Sequence, residues 1–164
     1  AQVAHQQFAS TGRLDWVTEL AEIPAREGVS NVYADLGQIF AQTLISQPYV
    51  CAAILGTLIK GLGAERVCWG TDAVWTGAPQ WQIEGLRRLE IPEEMQARHG
   101  FAPLGDARGP VKTAIFGGNN ARLYDLSDAE RDAWRTDRLM QEKAAHRQSG
   151  ALPSNLRYGY VAQG

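Results

Sequence analysis

Cysteine and histidine are scarce in this chain of 164 residues, with two of the first and three of the second. That scarcity bounds the chemistry. Cys51 and Cys68 stand among apolar residues with no Cys-x-x-Cys pair, so they read as small buried hydrophobes in a reducing, cytoplasmic setting rather than as a disulfide or a metal clip. His5 is expected in a polar stretch before the first helix, His99 at a glycine turn after a short helix, and His146 in a charged helix. None has a second His or Cys at ligand spacing and none falls at an expected strand end, so each reads as a solvated surface histidine. Charge of one sign is lacking too, with 16 basic against 18 acidic residues and a net charge of -2. A polyanion needs a concentrated basic surface, which disfavours nucleic acid as a partner. No apolar run approaches the roughly eighteen residues of a bilayer span. The longest, residues 50–62, is broken by Thr57, Lys60 and glycines. Residues 1–7 lack the basic head and apolar core of a signal peptide, so the chain is expected to start in mid-protein.

What is present is an α/β alternation. The apolar run Val67-Cys68-Trp69 follows the Gly61-Leu62-Gly63 breaker and stops at Gly70-Thr71-Asp72. A run too short for a helix and apolar throughout reads as a buried parallel strand. In parallel sheets the groups that do chemistry stand at the carboxyl ends of strands, which places Asp72 where a ligand or metal would be met. An Asp there also serves as a cap for the next turn or helix. Residues 31–37 read as an earlier strand, whose Asp35 faces the same rim unless strand alternation turns it outward.

Helical spacing predicts a helix from Leu14 to Ile23, ended or kinked by Pro24 ahead of Gly28. Residues 39–45 suggest a short helix, and Pro48 restarts one through residue 60 whose wide apolar stripe is expected to pack on the sheet. After the 75–79 loop, helices are expected over residues 80–89 and 92–98. Two strands joined by helical crossovers require parallel pairing and a right-handed connection. Trp75 and Trp81 flank the loop beyond the second strand, where barrel enzymes build substrate pockets.

The Gly70-Thr71-Asp72 strand end, the Trp75-Thr76-Gly77-Ala78-Pro79-Gln80-Trp81 segment and the later Asn120-Ala121-Arg122-Leu123-Tyr124 together resemble the C-terminal part of the amidohydrolase-related proteins, a branch of the metal-dependent hydrolases that also holds decarboxylases. The resemblance covers residues 10–126. It implies the last two strands and helices of a (β/α)8 TIM barrel in residues 1–126, with Asp72 as the Asp that binds the metal or handles the proton of its water. It further implies a divalent ion of the zinc or manganese class, a small-molecule substrate with Trp75, Trp81 and Asp35 as contacts, and hydrolysis of an amide, ester or lactone. A non-oxidative decarboxylase and a non-catalytic assembly segment are the alternatives. The family's other metal ligands, a His-x-His pair and two single histidines, have no counterpart here, and a complete barrel takes about 250 residues. The remaining N-terminal part of the same protein is therefore the expected partner. Residues 127–164 form a separate unit, a capping box at Ser127-Asp128-Ala129-Glu130 leading a polar helix to about residue 147, then an arm with Leu156, Tyr158, Tyr160 and Val161. So polar a helix and so aromatic an arm are expected to serve homo-oligomer assembly.

Overall fold

The computed structural model describes residues 2–73, 75–136 and 138–150. The expected arm from Leu156 to Val161 lies outside the described residues, as do Val74 and the side chain of Trp134. In chain order the helices are α1 (Gln2–Thr11) and α2 (Asp15–Glu27), then α3 (Gly37–Ser46) and α4 (Pro48–Leu62) between strands β1 (Ala34–Asp35) and β2 (Val67–Cys68). After β2 come α5 (Gln80–Arg88), α6 (Glu93–His99), α7 (Pro110–Thr113), a π turn over Ala114–Gly118, α8 (Asn119–Leu123), α9 (Asp128–Arg135) and α10 (Arg138–Gln148).

The two strands pair in parallel, Ala34 with Val67 and Asp35 with Cys68. Both are shorter than their apolar runs suggest. A ladder lasts only while a neighbour supplies partners, and each strand here has one. Helix α3 starts at Gly37, just after β1, and a 3-10 turn over Ala64–Arg66 runs directly into β2, so the backbone there leaves the pleat.

The core centres on α4. Residues Val50 to Leu58 are all buried, so this helix is apolar around its whole circumference and is enclosed rather than laid on a sheet. That corrects the expected stripe, and the reason is local. Ala52, Ala53 and Gly56 are small enough to admit neighbours on every side, and Gly61 lies so close to the Ala21 carbonyl that a Cβ there would collide with it. Phe8, Phe40, Leu44, Leu86 and Ile115 complete one continuous cluster around it.

Helix α2 does not stop at Pro24. It runs on to Gly28, which adopts φ +67° and donates its N–H to the Pro24 carbonyl at 3.0 Å. The missing proline N–H costs one helical bond near the end, where a single further turn is all that must be supported. The capping box at Ser127 and Glu130 forms as expected, but the helix beyond it is two helices. The first ends at Thr136, whose hydroxyl and N–H both donate to the Ala133 carbonyl. Both expose most of their surface, with Leu139 74% accessible.

Two side-chain amides, one buried and one half-buried, rivet the helical half to β2. Asn119 is fully buried, and its Nδ2 donates to the Ala64 and Val67 carbonyls at 2.8 and 2.7 Å, while Asn120 Nδ2 donates to the Trp69 carbonyl at 3.0 Å. Arg122 braces the same turn through the Glu65 carbonyl and Asn119 Oδ1. Lys112, also fully buried, pins the end of α5 through the Arg87 carbonyl and Glu90.

The histidines divide. His146 is exposed on α10. His5 belongs to α1 and stacks on Tyr49, its ring centre 4.8 Å away, because α1 begins earlier than the polar sequence suggests. His99 is half-buried against Phe8 and Phe101. It is not the freely solvated residue expected. Its pKa lies below the ordinary 6.5, first because of burial and then because Arg98 and Lys60 repel the added charge.

Asn119→Ala should lower the free energy of unfolding by about 2–4 kcal/mol, since it removes a buried amide and strands two buried carbonyls. Urea unfolding checks this. Because the folded state binds the His99 proton less well than the unfolded state, stability should be full above about pH 6.5 and fall as pH drops through that value. The same unfolding measured between about pH 7 and about pH 5 should show a shallower fall in His99→Gln.

Candidate functional site

Asp72 stands four residues beyond the end of β2, at the strand's carboxyl end, with its backbone in the left-handed region at φ +47°. Asp tolerates that region better than most residues, yet it still costs energy that the surroundings must cover. The loop does so with a closed set of bonds. Thr76 donates its N–H to the Asp72 carbonyl at 3.1 Å and its hydroxyl to the Thr71 carbonyl at 2.6 Å. Gln82, fully buried on α5, donates Nε2 to both the Thr71 carbonyl and the Thr76 hydroxyl at 3.0 Å. Ala73 N–H closes on the Thr71 hydroxyl at 3.2 Å.

The Asp72 side chain crosses to the other strand's exit. Its Oδ2 accepts the Gln38 N–H at 2.7 Å, at the start of α3. That is a capping role, though on the earlier helix α3 and not on the next turn or helix as expected, and it sets a negative charge at that helix's positive end. Oδ1 has no hydrogen-bond partner among the described residues, and the residue is exposed. Gly37 makes room for this approach, since a Cβ there would meet Oδ2 at 3.0 Å.

Asp35 repeats the arrangement in reverse. It ends β1, is exposed, and leans over Gly70 so closely that a Cβ on Gly70 would collide with Asp35 Oδ1. Each carboxylate thus lies over the glycine that continues the opposite strand. Both stand on one rim. The Asp35 charge also reaches Cys68, whose thiol is pushed up by burial first and by this carboxylate second, against an opposing pull from Arg122.

Beside the rim an open cleft of ≈ 550 Å³ is lined by Trp75, Trp81, Gln38, Gln42 and Ile45. Trp75 is 86% accessible while Trp81 is half-buried. The loop therefore presents one indole to solvent and packs the other. Four expected site residues, Asp35, Asp72, Trp75 and Trp81, are brought to one end of the sheet. The histidines are not. Among the described residues no group of three or more His, Cys, Asp or Glu side chains could hold a metal ion, and a transition metal held in a stable site needs three or four ligands. The donor set present here does not fit a complete metal centre.

No family model, curated protein or solved structure matches the chain. Among the described residues no helix is long and apolar enough to cross a membrane.

Sequence reasoning missed Gln82, Gly37 and Gly70. Gln82 carried a signal: it falls on the same helical face as Gly85, Leu86 and Leu89, all buried, and a lone amide on a buried face has a bonding task. The glycines carried none, because the carboxylate each accommodates comes from a distant segment.

Two substitutions separate the capping role from the charge. Asp72→Ala should cost about 1–2 kcal/mol, losing both the cap and the tolerance of positive φ. Asp72→Asn should cost about 0.5 kcal/mol, because an amide oxygen still caps and only the charge–dipole attraction is lost. Chemical denaturation of the two variants checks the order.

Proposed function

We propose that this chain is the C-terminal, rim-forming part of an amidohydrolase-related enzyme that hydrolyses an amide, ester or lactone, with Asp72 as its acid–base group. One observation carries the reading: Asp72 is held at the carboxyl end of a parallel strand with one oxygen anchored by Gln38 and the other free of any partner among the described residues. A carboxylate fixed in this way keeps one oxygen in place while the second can accept or return a proton without reorganising the loop. Asp35 stands on the same rim and Trp75 and Trp81 offer apolar faces to a substrate.

The remaining ligands of the divalent metal that this reading entails belong to the N-terminal part of the protein. Nothing in the described residues replaces them, and the chemistry assigned to this chain is limited to positioning and proton handling. Two free, buried cysteines support a reducing, cytoplasmic location. Burial pushes the Cys51 thiol up to about 12, so it is an inert core residue. Residues 127–164 are assigned to assembly of a homo-oligomer, supported by the exposed Leu139 on a helix that buries nothing of its own.

In the enzyme that carries this chain, Asp72→Asn should reduce kcat by about a hundredfold or more while leaving the thermal midpoint nearly unchanged, because a lost acid–base group costs at least that. Retention of activity within about tenfold would reduce Asp72 to a helix cap.

A further inference from the structure

A second cleft, of ≈ 480 Å³, opens between the α1–α2 turn, α2, α4 and α6. It is separate from the Asp72 rim. Lys60, on its wall, lies at the end of α4 that leads into the start of β2, whereas Asp72 follows the end of that strand. Three cations line it, Arg13, Lys60 and Arg98, together with His99 and a single carboxylate, Glu22. In a chain of net charge -2, a cleft with three positive side chains and one negative departs from the average surface.

The way these groups are held matters more than their number. Lys60 Nζ donates to the His99 carbonyl at 2.7 Å and Arg98 Nη2 to the Ala9 carbonyl at 3.3 Å. Each is held by a carbonyl at a helix carboxyl end, whose partial charge of about half a unit offsets only part of the cation, and each keeps further N–H donors. Among the described residues neither forms an ion pair. Arg13 differs, since both its terminal nitrogens bond Glu22, at 2.8 and 3.0 Å. The two unpaired cations come from different helices, α4 and α6. Both line one cleft, and a phosphate dianion balances their summed charge where a single carboxylate balances only half of it. The depressed pKa of His99 agrees with this geometry, because after burial its causes are Arg98 and Lys60.

We propose that this cleft binds the phosphate group of a small soluble compound, held by Lys60 and Arg98, with Glu22 limiting affinity by occupying Arg13. The site stands independently of the reading of Asp72 and would add a regulatory or anchoring ligand away from the rim.

The test is calorimetric titration of the full chain with inorganic phosphate at low ionic strength and near-neutral pH, with the His99 ring followed by NMR. One phosphate per chain is expected. The His99 ring should titrate at higher pH when phosphate is bound, because the anion offsets Lys60 and Arg98 across the cleft and acts beside Arg13 and Glu22 from the α2 side. Lys60→Gln and Arg98→Gln should each weaken binding about tenfold or more, the loss of one charge-assisted hydrogen bond. Glu22→Gln acts in the opposite direction and touches no helix-end bond, so it should tighten binding and keeps the test decisive if either other variant folds poorly. Absence of a saturable heat, or affinity unchanged in all three variants, overturns the proposal. Co-sedimentation with phosphatidic acid vesicles but no binding of inorganic phosphate also overturns it, by placing the anion on a lipid surface.

Discussion

The structure depends on how the outer edge of β2 is satisfied. The Cys68 carbonyl accepts the Leu36 N–H from the β1 side at 3.1 Å, so the carbonyls of Val67 and Trp69 on either side of it point away from β1. In a two-stranded sheet they would stand without backbone partners. Asn119 and Asn120 supply side-chain amides at those two points. One pair of adjacent residues therefore seals a sheet edge, docks α8 on the strand, and fixes the direction in which β2 leaves the sheet. A carbonyl has two lone pairs, so a strand added at this edge would share these groups with the amides.

The rim inherits that direction. Once β2 is fixed, Gly70 can pass under Asp35 and the Thr71 to Thr76 loop can fold back on Gln82. The loop bonds hold Asp72 in its left-handed conformation, and that conformation aims the carboxylate at the start of α3. The cap and the proposed acid–base role do not compete, because they use different oxygens. A buried amide whose Nε2 makes two good bonds is a stiff support, although its Oε1 is left without a partner. An unmatched buried acceptor normally carries a cost, and here it accompanies the one amide that organises the site loop.

The molecule separates two kinds of charge. Two carboxylates, Asp35 and Asp72, stand where the strands end, over glycines that allow close approach. Basic groups collect around the far end of α4, held by helix-end carbonyls. Cations favour helix carboxyl ends and anions favour amino ends, so helix polarity alone goes some way toward sorting them. Among the described residues Lys60 and Arg98 form no ion pair, and it is their meeting in one cleft that distinguishes it from ordinary capping.

Local elements were legible before folding was considered. Apolar spacing and proline positions located α2 through α6 and the apolar runs both strands, Ser127 and Glu130 marked their helix start, Gly100 its helix end, and Gly70-Thr71-Asp72 the strand exit, because each is decided by residues within a turn of one another. The extent of the strands, the enclosure of α4, the passage of α2 through Pro24 and the packing of His99 were decided only by tertiary structure. Each depends on what a distant segment places opposite: a single strand partner, small residues facing Ala21 and Phe101, or Phe8 brought in by α1. The same division holds for the site. Asp72 was legible as a strand-end carboxylate, whereas its anchor at Gln38, its clearance over Gly37 and its support by Gln82 join segments far apart in the chain, and no local pattern encodes a contact whose two halves meet only after folding.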